Sequence, residues 1–204
     1  MAKPRPNFNQ AVKALIRDVA TQMPEFSHIK ASRILVVAGE ARRASRGTIK
    51  PLMTHPAAPN RKPIVKIRGR RMLYCVTLRP LFFRSSTVQA RIGTLLHELF
   101  HISPQFDGTL DEERRHETFG RGFGAELRPL IRRYLRLCPP ELAAAFAYDG
   151  EVRVHQWLER PSASLGGKRG ARRLYTEAQL FLGPVLMITR SPRPPRAKSL
   201  TSLQ

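Results

Sequence analysis

Acidic residues are scarce in this chain: 15 Asp and Glu stand against 36 Lys and Arg in 204 residues, a formal net charge of +21. Such an excess points to a polyanionic partner, nucleic acid first, then an anionic membrane or an acidic protein. Cysteine is nearly absent. Cys75 and Cys138 are the only two, too few for a disulfide framework, and Cys75 lies in an apolar stretch where a core role is expected. Long hydrophobic runs are missing as well, since no segment approaches the ~20 apolar residues of a spanning helix. Met1-Ala2-Lys3-Pro4-Arg5-Pro6 leads into no apolar signal core. These absences set the expectation of a cytoplasmic protein without a membrane partner. No internal repeat is visible, and no groove-reading motif accompanies the basic residues. Nucleic-acid contact would therefore be directed to the backbone and sensitive to salt. The basic clusters are dispersed: Arg42-Arg43 with Arg46, Arg68 with Arg70-Arg71, Arg132-Arg133 with Arg136, Lys168-Arg169 with Arg172-Arg173, and Arg190 to Lys198. An arginine-rich background that writes Arg on every exposed face is the competing explanation.

What is present suffices for a core, with 42% hydrophobic residues in a length that fits one domain plus extensions. The division read from the chain is a domain over 1–160, a basic extension over 161–190 packing on it, and a disordered tail over 191–204. Val12, Leu15, Ile16 and Val19 recur at helical spacing from Asn7 or Asn9 to the break at Met23-Pro24. Ile34 to Ala38 reads as a buried strand and Pro51 to Pro63 as a loop. Ile64–Arg68 and Arg71–Leu78 read as strands joined by a two-residue turn, Gly69-Arg70, with Met72, Tyr74, Val76 and Leu78 on one face. Gly120, Gly122 and Gly124 are expected in an interhelix turn, followed by an amphipathic helix on Leu127, Leu130, Ile131, Tyr134 and Leu135. Val152 to Arg160 alternates like a strand, and Leu174 to Ile188 returns to apolar content. The fold class is α+β: a small, mainly antiparallel sheet packed on a central helix, with further helices around it.

That central helix carries the chemistry. Ser86-Thr87-Val88-Gln89 is a capping-box start, Val88, Ile92, Leu95, Leu99 and Ile102 recur at helical spacing, and Pro104 closes the run, so a helix is predicted over roughly 86 to 103. Within it stands His97-Glu98-Leu99-Phe100-His101. Residues four apart share a helix face, so both imidazoles can reach one metal ion while Glu98, one position round, reaches a metal-bound water. The wheel sets His97 and His101 opposite the apolar stripe, beside Ala90, Gly93 and Thr94. A catalytic zinc takes three protein ligands and one water, and a third donor is sought downstream. Gln105-Phe106-Asp107-Gly108 is a turn, and Thr109-Leu110-Asp111-Glu112 looks like a second capping box that opens a helix bearing His116. His116 is the chosen third ligand, with Glu117, Glu113 and Asp111 as rivals.

The run from His97 to Gly108, continuing through Pro104, Phe106 and Asp107, resembles the signature of the phage metallopeptidase family, small zincin-like proteins of phages and bacterial genomes. The resemblance extends over roughly residues 30 to 136 and is more distantly similar to SprT-like proteases, some of which act on DNA-bound proteins. It implies a zincin-like fold for the 1–160 domain, a bound Zn²⁺, His97 and His101 as ligands, Glu98 as general base, and a downstream histidine best matched by His116. No glycine follows His101 at the third position and no histidine at the sixth, so the pattern departs from metzincins. The expected activity is hydrolysis of a protein or peptide substrate by a metal-activated water, on phage or nucleic-acid-associated proteins. Tyr134, Tyr148, His155 and Arg115 are the candidate donors to the oxyanion. The alternative is a basic nucleic-acid-binding protein whose zinc site is structural or catalytically silent.

Overall fold

The computed structural model describes residues 5–40, 45–52, 64–114, 121–157, 174–175 and 181–190. Helix α1 (Phe8–Gln22) begins where the Asn7 side chain accepts from the Gln10 N–H, and it buries the predicted stripe of Val12, Leu15, Ile16 and Val19. Strand β1 (Ile34–Ala38) matches its predicted bounds, and all five of its residues are buried. It is buried on both faces because it lies in the middle of a five-stranded sheet. Its neighbours are β5 (Tyr74–Leu78) and β6 (Gly150–Trp157), both parallel to it. The edges are antiparallel: β2 (Gly47–Pro51) on β5, and β8 (Phe181–Thr189) on β6. The sheet is thus mixed rather than mainly antiparallel. Local alternation sets which side chains face which way, but strand direction here follows from pairings far apart in sequence.

Ile34, Val36 and Ala38 of β1, with Tyr74, Val76 and Leu78 of β5, join the main core beneath the helices. Leu35, Val37 and Cys75 face a smaller cluster with Val65 and Met72. Cys75 is a core residue, as expected; Met72 faces away from Tyr74, Val76 and Leu78. The reason is a break in the chain. Strand β4 (Arg70–Arg71) pairs with β3 (Ile64–Ile67), whose other neighbour is β7 (Leu174–Tyr175), and Met72 and Leu73 lead from there into β5. The hairpin turn is Arg68-Gly69, one residue earlier than predicted. Both have positive φ, 49° and 73°, which is the mirror-image turn whose twist suits paired strands.

Between the sheet and the histidine-bearing helix lies the short helix α2 (Pro80–Arg84). Helix α3 (Val88–Phe100) follows, with Thr87 as N-cap accepting from the Ala90 N–H. Helix α4 (Arg121–Leu137) and helix α5 (Pro140–Ala147) complete the layer. Gly122 and Gly124 fall inside α4 rather than in a turn, and α5 starts at Pro140, whose missing N–H costs nothing at a first helical position. Arg91 of α3 is 1% exposed and donates to the carbonyls of Phe82 (3.0 Å), Phe83 (2.7 Å), Phe146 (2.6 Å) and Arg190 (3.4 Å). One guanidinium so ties α3 to α2, to α5 and to the end of β8. Among the described residues no helix is long and apolar enough to cross a membrane.

Candidate metal centre

His97 and His101 lie on the α3 face that also carries Ala90, Gly93 and Thr94, as the helical wheel predicts, and all five line one cleft of about 1000 Å³. Their Nε2 atoms are 3.4 Å apart. Two imidazoles on one tetrahedral ion, each at about 2.0–2.1 Å, place their nitrogens about 3.3–3.4 Å apart, so the pair fits a shared metal. Nδ1 of His101 lies 2.8 Å from the Arg114 carbonyl oxygen. A carbonyl only accepts, so Nδ1 carries the proton, and in the neutral ring Nε2 keeps its lone pair.

The chain reaches that position by folding back after the helix. Ile102 and Leu110 form an antiparallel bridge, and the Asp111 N–H donates to the His101 carbonyl at 2.9 Å. The reversal between them is held from below: the buried Tyr74 hydroxyl accepts from the Gly108 N–H and donates to the Thr109 carbonyl, both at 2.9 Å. Phe106 packs on the Tyr74 ring with a centroid distance of 5.2 Å. Its φ of 50° and that of Gly108, 95°, give the turn its left-handed backbone.

Here the sequence expectation of a second helix from Thr109 fails. Asp107 accepts from both the Thr109 N–H (2.9 Å) and its hydroxyl (2.7 Å), and Asp111 accepts from the Glu113 N–H (3.0 Å). These Asx turns take the residues that a capping box would have used. Arg114 is anchored three ways: over the Phe100 ring at 4.1 Å, to the Phe100 carbonyl at 3.3 Å and to Asp111 at 3.3 Å. Its side chain thereby holds the carbonyl that orients His101.

His116, the chosen third ligand, and its rival Glu117 lie outside the described residues. The other rivals, Asp111 and Glu113, do not gather with the histidines: among the described residues no three His, Cys, Asp or Glu side chains form a metal-sized group. The residues bounding the segment that bears His116 do touch the pair. Arg114 bonds His101 on one side. On the other, Phe123 stacks on the His101 ring at 4.8 Å and 15° and meets the His97 ring edge-on at 5.0 Å and 70°. Phe123 escaped the sequence reading because it sits among glycines, although Phe123, Leu127, Ile131 and Tyr134 keep one helical spacing that would have found it.

Glu98 opens into the same cleft and is only 7% exposed. Burial pushes its carboxyl up to about 7, against the opposing pull of the Ile49 backbone N–H and the Arg79 charge. Strand β2 supplies that N–H. The Arg79 N–H bonds the Arg46 carbonyl and the Leu52 N–H bonds the Leu73 carbonyl, so even-numbered β2 residues face β5 while Gly47 and Ile49 turn outward. Gly47 is needed there, since a Cβ would stand 3.1 Å from Thr94 Cγ2 and 3.6 Å from Glu98 Cγ. Of the suggested oxyanion donors, Tyr134 gives its hydroxyl to Asp18 at 2.7 Å. Neither it, Tyr148 nor His155 lines the cleft, and Arg115 lies outside the described residues.

Comparisons with protein-family models, with curated proteins and with solved structures return no match to this chain.

Proposed function

We propose that the protein is a zinc-dependent peptidase in which His97, His101 and His116 hold the metal and Glu98 is the general base. The observation that carries the reading is the pair of Nε2 atoms 3.4 Å apart, one on a ring whose Nδ1 proton is fixed by a carbonyl, in a cleft shared with Glu98. The resemblance of residues 97–108 to the phage metallopeptidase signature adds to it, and a zincin-like fold belongs to the same proposal. His116 stays the third ligand because Arg114 and Phe123, which bound its segment, both contact His101.

Zinc, when bound, lowers the pKa of a water toward neutrality and polarises the scissile carbonyl. The chain does the rest. Glu98 takes the proton of the attacking water and returns it to the leaving amine, which a carboxyl displaced toward neutrality does more readily than an ordinary one. Phe123 shuts one side of the histidine pair from water.

Metal analysis and one substitution test this. The purified protein is expected to carry about one zinc per chain, and His116→Ala to lose it where His28→Ala does not. Glu98→Gln is expected to abolish cleavage of an unstructured protein while zinc content and urea midpoint stay at wild-type values. Equal cleavage by the variant would remove Glu98 from the mechanism. A zinc content unchanged by His116→Ala would transfer the third-ligand role elsewhere.

A further inference from the structure

Among the described residues, the cleft has Arg46 in its lining and Arg128 beside it on α4. Glu98 at its floor is the single acidic residue among the described lining residues, whereas Arg46 lines it from the β2 side. The opposite wall is α4, whose Ile131 and Leu135 face in. Positions 124, 128, 131 and 135 form one helical column, which puts Arg128 on the same face, one turn before Ile131. Its guanidinium lies back along that column: a Cβ built at Gly124 would meet Arg128 Nη2 at 3.1 Å and Nε at 3.5 Å.

The arginines of α4 are not alike. Arg133, turned toward α1, ion-pairs with Glu25 and donates to Met23 Sδ. Arg128 makes no ion pair among the described residues, and neither does Arg46, whose Nε donates to Ser86 Oγ at 2.9 Å. Two cations without a carboxylate partner among the described residues thus border a cleft whose trough presents Ile49, Leu110, Ile131 and Leu135: Arg46 in its lining, held at Ser86 beside the start of α3, and Arg128 on α4, with its guanidinium toward Gly124 and the histidine end.

We propose that the cleft selects an extended peptide with small or apolar residues in the trough and carboxylate side chains flanking them, one for Arg46 and one for Arg128. Naming such a peptide a substrate rests on the peptidase reading, but the charge-selective binding does not, and the test separates the two. Three fluorescent peptides share an Ala-Leu centre and carry Glu, Gln or Lys on both flanks. Their binding is measured by anisotropy on the full chain bearing Glu98→Gln, and their cleavage on wild type.

The Glu peptide is expected to bind more tightly than the Gln peptide by roughly 3- to 30-fold at low salt, the range for two partly exposed ion pairs, and the preference should shrink as salt rises. Adding Arg46→Gln with Arg128→Gln should erase it without weakening the Gln peptide. Adding Arg17→Gln with Arg84→Gln, two exposed arginines on α1 and α2, should leave it intact. Equal binding of the Glu and Gln peptides overturns the proposal. So does equal loss in the Arg17/Arg84 control, which would assign the effect to overall charge. Displacement of the Glu peptide by a single-stranded oligonucleotide at lower concentration than by unlabelled Glu peptide also overturns it, in favour of nucleic acid. Charge-selective binding without cleavage of any peptide by wild type supports the proposed selection and counts against the peptidase reading alone.

Discussion

Arg91→Met replaces a buried guanidinium by an apolar side chain of similar length, and the structure lets its cost be worked out. Three of the bonds Arg91 makes are 3.0 Å or shorter, to Phe82, Phe83 and Phe146. Leaving those buried carbonyls without donors costs about 1–3 kcal/mol each, roughly 3–9 kcal/mol together. Burial already lowers the pKa of Arg91, with Asp149 as the opposing charge, so the folded protein bears a desolvation cost that the variant recovers, of several kcal/mol. Set against the middle of the first range, about 6 kcal/mol, a recovery of about 2–3 kcal/mol leaves a net loss of roughly 3–4 kcal/mol, a large share of the roughly 5–15 kcal/mol by which a domain is stable. With a urea m-value of roughly 2–3 kcal/mol/M, the unfolding midpoint falls by about 1–2 M. Arg91→Lys keeps the charge but cannot span carbonyls from three segments, and it is expected to recover less than half of the loss. A Met variant within about 1 kcal/mol of wild type would refute the reasoning, since the carbonyls would then be satisfied without Arg91.

Arg114→Ala is expected to weaken zinc retention by roughly 10-fold, the lower end for disturbing the partner of a ligand's ring N–H, because the carbonyl on His101 loses its anchors; chelator competition measures it, and an unchanged affinity would deny Arg114 that role. The His28 pKa is held below its ordinary 6.5 by burial first and by Arg114 second. The unfolded chain therefore takes up a proton that the folded one refuses, and stability is lost as pH falls from 6.5 toward the depressed folded value. His28→Gln should flatten that part of the urea-midpoint profile between pH 7.5 and 5.5, and parallel profiles would contradict it. Gly93→Ala is expected to stabilise α3 by about 1 kcal/mol, because a Cβ there meets Ile131 only at the ordinary distances of 3.5 and 3.6 Å; a lower midpoint would mean that the cleft needs the space.

Periodicity was enough to read α1, β1 and α3 from the sequence, because in each the local pattern and the tertiary burial agree, although α3 is capped by Thr87, one residue after the Ser86 that opens the expected capping box, whose hydroxyl donates to Leu81 instead. The histidine face of α3 was legible for the same reason. Around it, longer-range partners decide. Thr109-Leu110-Asp111-Glu112 has the letters of a helix start, but Asp107 and Asp111 spend their oxygens on turns and Leu110 pairs with Ile102. Met72 continues an alternation in the sequence that the passage from β4 to β5 interrupts. Arg91 stands on the buried face of α3 without any local mark, since the carbonyls that justify it come from residues 8 to 99 positions away. Phe123 was hidden by glycines that the helix nonetheless contains.

The bond from Arg91 to the Arg190 carbonyl spans 99 residues, and the Arg190 N–H returns to Phe83 beside it at 2.9 Å. On a translating ribosome, at about 5–20 residues per second, the helix bearing His97 and Glu98 emerges roughly 5–20 s before the strand that fastens its base. A nascent chain therefore has the Phe82, Phe83 and Phe146 carbonyls for Arg91 before it has that of Arg190, and the contact that closes the base of α3 onto the end of β8 is the last to become available.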